Sequence, residues 1–80
     1  MSLQDDMVTR IKAAMPDAEV TLTDLAGGDH WQAVIVSSTF EGLSPVDRQR
    51  AVYAALGDLM HGPIHALTFR TLTPAQAAAQ

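Results

Sequence analysis

The chain is predicted to fold as an α+β domain, a three-stranded mixed sheet in the order 1-2-3 with strands 2 and 3 parallel and the helices packed on one face. Three observations predict it. Apolar residues recur every four positions from Leu3 to Met15, which is a helical period, and then alternate with polar ones from Glu19 to Thr23, which is a strand period. Gly27-Gly28 sits between two strand-like segments, so an antiparallel hairpin is the natural pairing. A strongly capped second helix then separates the second strand from a third. Strands joined by such a crossover lie side by side, parallel and with a right-handed connection.

Each element has its own local cause. Ser2 and Asp5 have the spacing of an N-cap with an acidic residue at N3, and Leu3, Met7, Ile11 and Met15, with Val8 beside them, form the apolar stripe of a first helix. Pro16 ends that helix, because a proline disfavours helical geometry in the residue before it. Glu19-Val20-Thr21-Leu22-Thr23 is rich in β-branched residues and alternates, so it reads as a strand with one buried face. Ala26-Gly27-Gly28-Asp29 is turn chemistry. Trp31 to Ser38 follows as the second strand, with Trp31, Ala33 and Ile35 on one face and Val34 and Val36 on the other, a pattern that suits a central strand.

Ser44 caps the second helix, Pro45 occupies its first position with φ already set, and Asp47 lies near the positive end of the dipole. The helix is predicted to run through Met60, to bury Val52, Ala55, Leu56 and Leu59, and to stop at Gly62-Pro63 through a C′ glycine. Ile64 to Leu72 is the third strand. Thr73-Pro74-Ala75-Gln76 repeats the cap logic and opens a short Ala-rich helix, so residues 72–80 are expected to be a frayed tail on a single domain covering residues 1–80.

Composition narrows the class of function. A chain of 80 residues forms one domain, and domains of that size bury only about 60% of the surface exposed when unfolded. With 48% hydrophobic and 18% charged residues, it is globular and not disordered. There is no cysteine, hence no disulfide framework, which suits a reducing compartment. No apolar run approaches the roughly 20 residues of a membrane span, and Met1 to Asp6 does not read as a signal peptide. The expectation is a cytoplasmic protein without a membrane partner, monomeric or weakly dimeric when alone. A net charge of -4 opposes sequence-independent binding to nucleic acid, and Arg10, Lys12, Arg48, Arg50 and Arg70 form no basic run.

The candidate site is a set of histidines. His30 directly precedes the second strand, His65 opens the third, and His61 ends the helix that feeds it. Parallel neighbours start at the same end of a sheet and lie about 4.8 Å apart, so the two strand-opening histidines are in reach of one ion or cluster. His61 and His65 have the i, i+4 spacing of a helical zinc pair, but Gly62-Pro63 between them breaks any helix. Spacing alone leaves open whether each histidine is a ligand or an ordinary surface residue.

Other features read more plainly. Gly27-Gly28 lacks the spacing of a dinucleotide loop and precedes a strand. Asp24 and Asp29 near His30 have no nucleophile to serve and read as turn carboxylates. Ser37 and Ser38 read as the end of a strand, and the methionine stripe as core filling. Arg48 and Arg50 are candidates for contact with phosphates or an acidic partner, a solvated helix face being the default.

Val36-Ser37-Ser38-Thr39-Phe40-Glu41-Gly42-Leu43-Ser44, Arg48-Gln49-Arg50-Ala51-Val52-Tyr53-Ala54-Ala55-Leu56, Ile64-His65-Ala66-Leu67 and Leu72-Thr73-Pro74 together resemble the BolA family, across nearly the whole chain. The resemblance implies a class II KH-like αββααβ fold, with a short helical turn before the longer second helix. It implies a non-enzymatic adaptor in iron-sulfur trafficking, in iron or redox sensing, or in stress responses, sharing a [2Fe-2S] cluster with a monothiol glutaredoxin and glutathione. The alternative it implies is a DNA-binding transcriptional regulator, with Arg48, Arg50 and His61 as partner or nucleic-acid contacts. Carried over by position, His65 matches the family's cluster ligand. The second ligand is a His or Cys of the loop between the first two strands, for which this short loop offers only His30, placed nearer the strand than in longer loops. Gln49 and Ala77 stand where many members have histidine and tryptophan. A chain without cysteine supplies imidazole and not thiolate, and imidazole binds as the neutral base, so acid would release it readily.

Overall fold

The structure is a computed structural model that describes residues 2–26, 30–62, 64 and 66–79. Helix α1 spans Leu3–Ala14, with the Ser2 hydroxyl accepting from the Asp5 amide and with Met7 and Ile11 buried. Strand β1 runs Glu19–Ala26 and strand β2 His30–Val36. Helix α2 covers Pro45–Leu56, strand β3 Ala66–Leu72 and helix α3 Pro74–Ala78, with 3-10 turns at Ser38–Phe40 and Gly57–His61. The turn at Ser38–Phe40 is the short helical segment that the family resemblance implies.

The sheet has the order β1-β2-β3. β1 and β2 are antiparallel, Val20 opposite Ile35 and Leu22 opposite Ala33, while β2 and β3 are parallel, with Ala33 opposite Phe69. Side chains alternate across a strand. Trp31, Ala33 and Ile35 are therefore on one face, where they join Met7, Ile11, Met15, Phe40, Val52, Leu56 and Leu59 in a single buried cluster. All the helices contribute from that side except α3, and the opposite face bears the exposed Thr21, Gln32 and Thr68.

β2 starts at His30, one residue before the expected Trp31, because His30 pairs with both Ala26 and Ala66. Four other boundaries differ from the sequence expectation, each for a physical reason. β1 continues to Ala26 because pairing with β2 persists through Asp24 and Trp31 to Ala26 and His30, across a register shift between Asp24 and Ala26. β2 stops at Val36, since Ser37 turns inward as the cap of the 3-10 turn, its hydroxyl accepting from the Thr39 amide. α2 ends at Leu56 and not at Met60. Gly57, at φ 53°, is the residue that leaves the helix, and the remainder tightens into a 3-10 turn; the glycine at 62 has φ -151° and is not a left-handed cap. β3 begins at Ala66, while Ile64 precedes it as a buried core residue whose amide donates to the Leu59 carbonyl at 3.1 Å.

The terminal segment is better tied than its composition suggests. Thr73 and Gln76 form a complete capping box around α3.

Asp17 locks the α1–β1 turn to the end of β2. One carboxylate oxygen accepts from the buried Ser37 hydroxyl at 2.7 Å and the other from the Ser38 amide at 2.8 Å. Hydrogen bonds from Ser38, and then from Ser37, hold its pKa at about 2, below the ordinary 3.8. A depressed carboxylate contributes stability above its unfolded pKa and loses it as pH falls through the folded one. Asp17 is therefore expected to hold the turn firmly above about pH 4 and to let go as pH falls towards 2. Urea unfolding at stepwise lower pH should show a shallower acid loss in Asp17→Asn than in wild type; parallel acid limbs would remove Asp17 from this role.

Candidate functional site

The parallel pairing of β2 and β3 brings their first residues together. His30, the first residue of β2, stands opposite Ala66, the first residue of β3, and Trp31 stands opposite Leu67. Trp31 is buried against the helices, so by alternation the half-buried His30 belongs to the face that the helices leave open. His65, the main candidate ligand, lies outside the described residues, as do Pro63, Gly27, Gly28 and Asp29. What the structure does show is that the residue after His65 is the one paired with His30.

His61 is the exposed last residue of the Gly57–His61 turn on the connection into β3. That connection is anchored at two points. Leu59 and Ile64 are both buried in the core. Upstream, Arg10 of α1 donates through Nη1 to the Leu56 carbonyl at 3.1 Å and to the Asp58 carboxylate. The hydrogen bond from Arg10, with its charge, lowers the Asp58 pKa. An arginine donor at a helix C-terminus also satisfies a carbonyl that has no helical partner.

Arg48 is not a solvated charge. Its Nε donates to the Leu43 carbonyl at 3.1 Å, and its Nη1 to Gln76 Oε1 at 2.9 Å and to the Thr71 carbonyl at 3.4 Å. The guanidinium carbon sits 5.9 Å from the centre of the Phe40 ring, within cation–π range. Arg48 thus joins α2, β3 and α3. Arg50 does match the solvated expectation, with a side chain 78% exposed and an i, i+3 pair to Asp47 at 3.7 Å.

Sequence reasoning missed the contacts that hold these parts in place. Asp17 with Ser37 and Ser38, and Arg10 with Leu56 and Asp58, join positions 20 or more residues apart, and no local pattern announces them. Among the described residues no three His, Cys, Asp or Glu side chains gather to hold a metal ion, and no helix is long and apolar enough to cross a membrane.

A three-stranded mixed sheet with helices on one face, in the order helix, strand, strand, helix, strand, is the α+β architecture of the KH-like class. The family model for BolA-like proteins matches residues 5–76, and the chain belongs to the BolA family. It is 40% identical over 76 residues to human BolA-like protein 1, covering 85% of this chain and 56% of that protein. The chain therefore spans little more than half of that relative. Among solved structures, a BolA-like protein from Babesia bovis superposes with a TM-score of 0.85 at 34% identity, covering 99% of this chain and 93% of the other. Yeast Fra2 superposes with a TM-score of 0.73 at 30% identity, covering 98% and 85%.

Proposed function

We propose that this chain is a non-enzymatic adaptor in iron-sulfur handling that co-ligates a [2Fe-2S] cluster with a monothiol glutaredoxin. The observation that carries the reading is the parallel register that sets His30 opposite Ala66, the residue after His65. Histidine can replace cysteine on one iron of such a cluster. The chain has no thiolate to offer, so its part is to donate the imidazole of His65, with His30 as the second candidate, while glutaredoxin and glutathione supply sulfur. The buried Leu59 and Ile64 anchor the connection into β3, and the Arg10 link to Asp58 fixes its start. Membership in the BolA family supports the same reading.

Titrating the protein into cluster-loaded monothiol glutaredoxin, followed by visible absorption and circular dichroism, tests it. Wild type should change the spectrum and His65→Ala should not, and His30→Ala should give an intermediate spectrum if His30 is the second ligand. Identical spectra for wild type and His65→Ala would end the proposal. The DNA-binding alternative has less to work with, because the Arg48 guanidinium is already engaged by Leu43, Thr71 and Gln76.

A further inference from the structure

Among the described residues, the outer edge of β3 carries backbone groups without a backbone partner, beside Arg70 and a partly apolar helix face. The Ser37 amide donates to the Leu72 carbonyl, so Leu72 turns its backbone towards β2. In a parallel ladder this direction alternates, so Ala66, Thr68 and Arg70 also face β2, while Leu67, Phe69 and Thr71 aim their N–H and C=O groups outward. The Thr71 carbonyl confirms the direction, since it accepts from Arg48 across the edge. Among the described residues, the backbone groups of Leu67 and Phe69 and the Thr71 amide have no backbone partner on that side. Arg48 and α3 close the end at Thr71, which leaves a short open window.

The two edges of the sheet are not equivalent. β1 is guarded in the usual way, by a register shift between Asp24 and Ala26 and by Glu19 and Asp24. β3 pairs regularly with β2 from Ala66 to Leu72 and holds no acidic residue. Of the nine acidic residues seven lie in residues 1–41, whereas three of the five basic residues, Arg48, Arg50 and Arg70, lie in residues 42–80. On the helix side of the edge, Tyr53 packs edge-on to Phe69 at 5.4 Å between ring centres and is still 43% exposed. Val46, 56% exposed, and Arg50 share the α2 stripe of Tyr53 at i, i+4, i+7 spacing.

We infer that this edge accepts an extended acidic segment of a partner protein as a fourth strand. Backbone pairing to Leu67, Phe69 and Thr71 supplies the docking, as in strand addition generally. Specificity follows from alternation: an added strand turns one set of side chains towards Tyr53 and Phe69 and the other towards Arg70 on the open face. The segment therefore alternates apolar with acidic residues. The residues it uses are Tyr53, Leu67, Phe69, Arg70 and Thr71, none of them a histidine.

The test uses the full chain labelled with nitrogen-15 and a synthetic peptide of about six residues, an ordinary strand length, alternating Glu and Val. Its arms are the Lys–Val analogue, the Glu–Val peptide N-methylated along one edge and then the other, and a single-stranded oligonucleotide. The acidic peptide should slow amide exchange at Leu67, Phe69 and Thr71 by about tenfold or more. N-methylation of the pairing edge should weaken binding by about tenfold, and Arg70→Gln by about three- to tenfold. The proposal fails if millimolar acidic peptide leaves those amides unprotected, if neither N-methylated form weakens, if protection falls on Val20 and Leu22, or if the oligonucleotide binds this edge more tightly than the peptide.

Discussion

Phe40→Ala is expected to lower the unfolding free energy by about 3–5 kcal/mol, the usual cost of removing a buried phenylalanine. The ring is fully buried, among the largest side chains that are, and sits between β2 and α2 in the same cluster as Ile35, Val52 and Leu56. Small domains have only about 0.05–0.15 kcal/mol of stability per residue, so for 80 residues the loss is comparable with the whole. The variant should be largely unfolded at moderate temperature. Phe40→Leu retains most of the apolar volume and should lose far less, about 1 kcal/mol, along with the ring face beneath Arg48. Urea unfolding followed by circular dichroism distinguishes these outcomes. A loss below about 1 kcal/mol for the alanine variant would show that the ring does not fill the core as described.

Gly57→Val should be the most damaging change outside the core. At φ 53° and ψ -125° the backbone is in a region that a residue with a Cβ rarely adopts, and such strain costs about 1–3 kcal/mol. A valine adds a further problem. A Cβ at this position would already lie 3.5 Å from Arg10 Nη1, so branching at that carbon crowds the guanidinium that holds Leu56 and Asp58. Gly62→Val is the matched comparison: nothing lies within 4 Å of its added Cβ, and the loss should stay below about 1 kcal/mol. Thermal unfolding of the two variants decides which glycine ends the helix. Equal losses would restore the sequence expectation that Gly62 is the required stop.

The comparison of those glycines shows what kind of information the sequence holds. Both precede plausible breaks, and Gly62-Pro63 is the stronger local signal. Gly57 prevails: its φ of 53° ends the helix there, and the 3-10 turn that follows still buries Leu59, with Ile64 buried beyond it. Arg48 makes the same point from the surface. Its sequence neighbours suggest an exposed helix face, yet the carbonyls of Leu43 and Thr71 and the side-chain oxygen Oε1 of Gln76 are brought to it by three different segments. The capped start at Ser44, the alternation of β1 and the parallel crossover were all legible, because each depends on residues close in sequence or on a rule of chain connection.

By itself the sequence determined the order of elements, the faces that become core, the family, and the common end of the sheet at which His30 and the start of β3 meet. The order, the faces and the common end follow from hydrophobic period, capping chemistry and the handedness of crossovers, all written locally, whereas the family follows from the resemblance of residues 36–44, 48–56, 64–67 and 72–74. Only the tertiary structure decided where α2 ends, that Asp17 and Arg10 act as struts, that Arg48 is engaged within the fold, and that β3 keeps an open edge. These depend on groups distant in sequence, such as Arg10 and Leu56, 46 residues apart, whose hydrogen bonds exist only once packing has set their distance and excluded competing partners.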